Sequence, residues 1–372
     1  MKRPKILFAG QFAPPVHGVS VMNDYVLHSK LIAGKYIMVP LNLTTARSIG
    51  DIGRTTPRKI FRLAGIFILL CWKLLTQRFA AAYITLSPVG PAFVKDSWVV
   101  MLIKRFNIPV MLHLHGKGIS NAIKEGGKNV LKRYNRVFYN TYVITLSAGL
   151  QKDIADISGY KALFAVPNGI PEIPDVQHNR PSEGPVTILM LSNFVRTKGH
   201  LDLLKATHLL LQKGYNNFRI VFAGARSDAA FSRTFENYLQ QHNLHEVVSL
   251  TGPVYGEEKT RLLQSADIFV LPTYYANECF PLVILEAMQA GLAVVATYEG
   301  AIPEMLDNGK CGVLVEAQQP AALARVLAKL LDKPDKRQEL GRLAADRYKR
   351  HYTLAIFEQN LLQVFNQVIC AV

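Results

Sequence analysis

Twelve short apolar runs, most followed by a longer helix-like stretch, constrain this 372-residue chain more than any other feature. The first six are KILFAG (5–10), YIMVPLN (36–42), AAYITLS (81–87), PVMLHLH (109–115), TYVITLS (141–147) and ALFAVPN (162–168). The pattern then restarts with VTILMLS (186–192), FRIVFAG (218–224), VVSLTG (247–252), DIFVLPT (267–273), LAVVAT (292–297) and CGVLVE (311–316). Most of these runs are apolar at odd and even positions alike, as strands covered on both faces must be. Helix-like stretches such as 58–79 and 120–137 lie between them. Strands alternating with helices give βαβ units and parallel, doubly wound sheets. Two series therefore predict an α/β protein of two Rossmann-like domains. The proline-rich polar stretch PEIPDVQHNRPSEGP (171–185) reads as the linker, which puts the first domain at 1–175 and the second at 176–352.

Composition narrows the setting. Hydrophobic residues make up 49% of the chain and charged residues 19%, which suits large cores and argues against disorder. Cys71, Cys279, Cys311 and Cys370 form no CxxC pair, which fits a reducing compartment better than disulfides or a zinc site. The N-terminal apolar run Ile6 to Ala9 is too short for a signal-peptide core, and the longest run, Leu63 to Trp72, is half of a spanning helix. A soluble or peripheral cytoplasmic protein is the expectation. The net charge of +16 is uneven: residues 1–180 carry 24 Lys and Arg against 8 Asp and Glu, whereas residues 181–372 carry 19 of each. A half this basic suggests an anionic partner such as lipid headgroups, a phosphorylated lipid or nucleic acid.

Ligands of open α/β sheets bind beyond the carboxyl ends of the strands. The loops there are Gly10–Gly18, His115–Gly116, Asn168–Gly169, Asn193–Gly199 and the stretch at Glu278. ECFPLVILE (278–286) places two glutamates around an apolar run. Pro281 suits the first turn of a helix that stops at Gly291, and Leu282, Val283, Ile284 and Leu285 cover all its sides. Each carboxylate beside that helix needs hydrogen-bond donors. Ribose and sugar hydroxyls would serve; equally, Glu278 could cap the helix and Glu286 could pair with a basic residue. His113 and His115 share a strand face, but no nearby carboxylate or cysteine completes a metal site. Neither GxGxxG nor GxxxxGK[ST] occurs, and there is no Asp-x-Asp.

The stretch 265–306 resembles the donor-site region of retaining GT-B glycosyltransferases of family 4: Glu278, seven residues, Glu286, Ala287, a helix ended by Gly291, the strand LAVVAT and Pro303-Glu304. LSNFVRTKGHLDLLKA (191–206), VPNGI (166–170), HLHG (113–116) and GQFAPPVHGVS (10–20) extend the likeness in the family's order. The resemblance implies two Rossmann-like domains facing a central cleft, with a final helix of about 353–372 packing back on the first. It implies transfer of a sugar from a nucleotide-diphosphate sugar with retention, Glu278 on the sugar and Glu286 on the ribose. The backbone of Phe280, Pro281, Leu282 and Val283 would face the sugar and the diphosphate, Gly18 would close over the phosphates, and His115 would contact the sugar. Lys198 and Arg196 are the cations for the leaving diphosphate, and Asn193 stands where the family usually has an arginine. Cys279 departs likewise, from a small residue, often glycine. No metal and no other cofactor is expected.

The acceptor domain of the family is the N-terminal one. Here KIFRLAGIFILLCWKLLTQRF (59–79) and the cations Lys124, Lys128, Lys132, Arg133 and Arg136 read as an interfacial surface for anionic membrane, although a buried helix explains 59–79 equally well. The expected acceptor is a saccharide or a polyprenyl-diphosphate-linked saccharide, in surface polysaccharide assembly. A nucleotide-sugar epimerase on the same scaffold and a basic nucleic-acid-binding protein are the alternatives. The first leaves the basic domain without a use, and the second leaves both glutamates without a role, so no nucleic acid is expected.

Overall fold

The computed structural model describes residues 3–14, 16–44, 57–173, 184–226 and 228–370. They form two compact units, 1–169 with 354–372 and 170–353.

The first unit runs β1 (Lys5–Gly10), α1 (Gly18–His28), α2 (Lys30–Lys35), β2 (Ile37–Asn42), α3 (Pro57–Thr76), β3 (Ala81–Leu86) and α4 (Gly90–Lys104). It continues β4 (Val110–Leu114), α5 (Ile119–Phe138), β5 (Tyr142–Thr145) and β6 (Ala162–Ala165). The second unit runs β7 (Val186–Leu191), α6 (His200–Gln212), β8 (Phe218–Ala223), α7 (Ala229–Gln241), β9 (Val248–Gly252), α8 (Gly256–Ser265) and β10 (Ile268–Leu271). It ends α9 (Leu282–Gln289), β11 (Ala293–Thr297), α10 (Ile302–Met305), β12 (Val313–Val315), α11 (Pro320–Asp332) and α12 (Pro334–His351), and α13 (Leu354–Cys370) returns the chain to the first unit.

Each unit holds one six-stranded sheet, in the orders β2-β1-β3-β4-β5-β6 and β12-β11-β10-β7-β8-β9, and every pairing is parallel. The central strands β3, β4, β5, β10 and β11 are buried at every position, as their continuous apolar runs require. Strand β2 contains Pro40 and sits at an edge, where a missing N–H breaks no ladder on the outer side. Chain order reverses between β1 and β3 in the first sheet and between β7 and β10 in the second. Loops that follow strands flanking such a reversal line a natural crevice.

The division between the units falls at Gly169/Ile170 and Thr353/Leu354, not at 175/176 and 352/353. Ile170 pairs with Thr353 and donates its N–H to the Tyr352 carbonyl, and the Tyr348 hydroxyl donates to the Ile170 carbonyl at 3.0 Å. With the Pro171 carbonyl accepting from Gln289 Nε2 at 2.8 Å, these bonds hold the start of the supposed linker inside the second unit. The remainder of that linker, 174–183, lies outside the described residues. Helix α13 sits on the first sheet through Phe365, whose ring meets Tyr83 at 5.2 Å and Tyr36 at 6.2 Å. The Tyr36 hydroxyl adds a hydrogen bond to Asn366 Oδ1 at 2.8 Å.

Helix α3 turns two different faces outward and inward. Leu70 and Leu74 join the core, with Ile66 and Phe67 packed against it. Phe61, Ile68, Trp72 and Leu75, at intervals of seven, four and three residues, form an exposed apolar stripe on the opposite side. The helix is thus buried along one face and exposed along the other. Helix α5 is broken at Gly127, whose φ of 62° and ψ of −154° are not helical. Among the described residues no helix is long and apolar enough to cross a membrane.

Candidate donor site

The loops after β7 and β10 leave the second sheet at its reversal point and lock onto each other. The first contains Arg196–Lys198 as a 3-10 turn closed by Gly199, whose φ is 86°. A Cβ at Gly199 would stand 2.1 Å from the Pro272 carbonyl oxygen, so only glycine permits both this conformation and this approach. The Tyr274 N–H donates to the Thr197 carbonyl at 2.8 Å, stitching the loops together. His200 anchors the turn from below. Burial pushes its pKa down to about 4, so its neutral ring donates Nε2–H to the Ser192 carbonyl at 3.1 Å while lying 4.4 Å from Phe194.

This arrangement delivers Lys198 to Glu278. Lys198 Nζ is 2.6 Å from Glu278 Oε2, and the Thr273 hydroxyl donates to the same oxygen at 3.2 Å. The ammonium also lies 4.9 Å from the Tyr275 ring centroid. The Glu278 side chain is only 9% exposed, so its charge is offset by these partners and not by water. The backbone at Gly300 lies close against that of Glu278: a Cβ at Gly300 would meet the Glu278 carbonyl oxygen at 2.4 Å.

Helix α9 begins one residue later than the proline suggested. Pro281 is its N-cap, and no side chain caps the first turn. Ile284 N–H donates to the Pro281 carbonyl at 3.0 Å, which leaves the N–H groups of Leu282 and Val283 without a carbonyl partner among the described residues, in the loop-to-helix turn that follows Glu278. At the other end, Gly291 N–H donates to Met288 O and Leu292 N–H to Ala287 O, both at 3.0 Å, the pair of bonds that ends a helix at a left-handed residue. Ile284 and Leu285 are buried, but Leu282 and Val283 are half-exposed. The helix is thus not covered on all sides: its first turn opens outward. Phe280 is buried with its ring edge-on to Tyr352 at 5.9 Å.

In α9's second turn, Glu286 accepts from Lys259 of α8 at 2.6 Å. Its second oxygen, Oε2, is buried without a hydrogen-bond partner among the described residues. Asn193 and Arg196 are not drawn into either pair. Asn193 Oδ1 accepts the Ala225 N–H at 3.2 Å, and the exposed Arg196 lies over the Phe231 ring at 5.5 Å.

In the first unit the strand-end groups follow the same logic. Tyr83 donates its hydroxyl to His113 Nδ1 at 2.6 Å, while burial pushes the tyrosine pKa up and the histidine well down. His113 is thereby a core residue. Its ring lies 4.1 Å from that of His115, whose pKa is pushed down to about 3, first by burial and then by His17. His115 Nε2 is enclosed and has no partner among the described residues. Gly18 opens α1 directly after its cap His17, which accepts the Ser20 N–H on Nδ1 at 3.3 Å, and space beside Gly18 is open. The start of α5 is taken: Asp153 accepts the N–H groups of Gly118, Ile119 and Ser120 at 2.8, 3.0 and 3.1 Å. An anion therefore meets a capped helix after β4 and an uncapped one after β10.

The family model of glycosyl transferases group 1 matches residues 173–347, which lie within the second unit. Through that unit the chain resembles the group 1 glycosyl transferases. A D-inositol 3-phosphate glycosyltransferase of Corynebacterium kroppenstedtii is 30% identical over 185 residues, 49% of this chain and 40% of that protein. The enzyme of the same name from Corynebacterium diphtheriae is 33% identical over 172 residues, 45% and 39% of the two chains. The matches thus span about two fifths of the length of these relatives. The fold of the whole chain is shared more widely. Sucrose-phosphate synthase from Thermosynechococcus elongatus aligns over 100% of both chains with a TM-score of 0.76 at 18% identity. Anabaena HepE in complex with UDP-glucose aligns over 98% of this chain and 99% of its own, with a TM-score of 0.70 at 16% identity. These neighbours identify the fold as GT-B, with its two Rossmann-like units.

Within the second unit, sequence reasoning singled out Lys198, Glu278 and Glu286 but not what joins them. Lys259 lies in GEEKTR, the polar start of α8, and reads as a solvated charge. Thr273 and His200 carry no motif signal of their own. Only the packing of the two loops reveals them.

Proposed function

We propose that this protein is a retaining glycosyltransferase. It moves a sugar from a nucleotide-diphosphate sugar to a saccharide or a lipid-linked saccharide, in bacterial surface polysaccharide assembly. The observation that carries the reading is Lys198 paired with Glu278 beside the uncapped start of α9. An ammonium and free helix N–H groups together form an anion site, and the charge that develops when a glycosidic bond breaks is a leaving diphosphate. Lys198 stabilises that diphosphate, with no metal required. Glu278, relieved of its lysine, turns a carboxylate toward the sugar hydroxyls. Glu286 takes the ribose, and His115, neutral at pH 7, offers a hydrogen bond without charge. The donor class is supported by the family and by the UDP-glucose that HepE binds.

The membrane-bound acceptor is supported by two surfaces of the first unit. One is the exposed stripe Phe61, Ile68, Trp72 and Leu75 of α3. The other is the exposed cations Lys124, Lys128, Lys132, Arg133 and Arg136 of α5. Apolar residues that enter the headgroup region, with cations that attract anionic lipid, suit an enzyme peripheral to the inner face of the cytoplasmic membrane. Thermal shift with a panel of UDP-, GDP- and ADP-sugars tests the donor assignment. One nucleotide class raises the Tm of the wild type and loses most of that effect in Glu286→Ala. No response to any of the three refutes the reading.

A further inference from the structure

Two carboxylates in a site for an anionic donor are an electrostatic liability, and each has a lysine at 2.6 Å. Lys198 has a role in the chemistry; Lys259 has none so far. It comes from α8, an element outside the two locked loops, and is 32% exposed where its partner Glu286 is 19% exposed. Among the described residues Lys259 is the only group bonded to the Glu286 carboxylate, since Oε2 has no partner. The cavity next to Glu286, lined by Thr260, Leu263, Gln264 and Gln289, has room for about one water and none for a ribose. A diol therefore does not reach this carboxylate through that cavity, and the ammonium fixes where Oε1 stands.

We propose that Lys259 is a positioning residue of the donor site: it holds the Glu286 carboxylate in place for the vicinal hydroxyls of the nucleotide's ribose. The inference rests on the reading that Glu286 binds the ribose. Lys259 acts on binding and not on bond breaking, because the ribose is remote from the reacting carbon. Its loss raises KM and leaves kcat nearly unchanged.

The test is titration calorimetry with UDP, GDP and ADP, each against its 2′,3′-dideoxy counterpart. The proteins are wild type, Lys259→Met, Lys259→Arg and Glu286→Ala. The expected result is that Lys259→Met weakens the ribonucleotide about tenfold, the size of one charge-assisted hydrogen bond, and leaves the dideoxy analogue unaffected. Lys259→Arg, which keeps the charge, recovers most of the loss and covers the case in which the methionine variant is poorly folded. Equal weakening of both ligands would mean that Lys259 acts on the phosphates or the fold, and overturns the proposal. Full affinity in Lys259→Met together with weak binding in Glu286→Ala overturns the proposal and leaves the ribose reading standing. Full affinity in Glu286→Ala, or no binding of any nucleotide to the wild type, overturns the ribose reading itself.

Discussion

Replacing Lys198 by methionine keeps most of the side-chain stem but removes the cation from Glu278. The carboxylate is 9% exposed and would retain one hydrogen bond, from the Thr273 hydroxyl at 3.2 Å. Breaking a buried pair from one side costs about 3–5 kcal/mol, because the remaining charge is left uncompensated. Lys198 is itself 21% exposed, so water reaches the vacated side and the lower end, about 3 kcal/mol, is the better figure. For a unit of this size that is a fall in Tm of about 6–12 °C. Glu278→Gln in the same background removes the orphaned charge and keeps the shape. The double variant should therefore be more stable than Lys198→Met alone, with a coupling of about 2 kcal/mol, typical of residues in direct contact. Urea denaturation of all four proteins, without nucleotide, gives the cycle. A coupling below about 0.5 kcal/mol would be that of independent sites and would refute a desolvated Lys198–Glu278 pair.

Three further outcomes follow from the same geometry. Gly199→Ala forces a side chain into a left-handed conformation and against the Pro272 carbonyl, so it should lower stability by more than about 2 kcal/mol and abolish nucleotide binding, read by denaturation and thermal shift. His200 has a folded pKa of about 4 against an ordinary 6.5, so the unfolded chain binds the extra proton in that window and stability falls as pH drops from 6.5 to 4, by at most about 3 kcal/mol. His200→Phe should remove about one proton from the slope of stability against pH, and an unchanged slope would contradict a buried neutral imidazole. Trp72→Ser with Leu75→Ser should weaken sedimentation with anionic liposomes several-fold and leave nucleotide binding intact. Equal liposome binding by wild type and variant would remove the membrane role of α3.

The sequence by itself determined the two parallel sheets. A run such as AAYITL, apolar at every position, has nowhere to lie except between two layers of helix, and all twelve runs became strands. It also located the strand-end loops that carry the candidate residues, since such loops need no tertiary information to be found. The boundary between the units was less legible, because the bonds that tie Ile170 to Tyr348 and Tyr352 join residues far apart in the chain. Tertiary structure alone decided the partners. Lys198 meets Glu278 across 80 residues and Lys259 meets Glu286 across 27, and no periodicity records such pairs. They arise because β7 and β10 are neighbours in the sheet though not in sequence, and because α8 packs its first turn toward α9. Strand pattern is a local property of side chains, whereas the charge balance of a site depends on which loops the topology brings together.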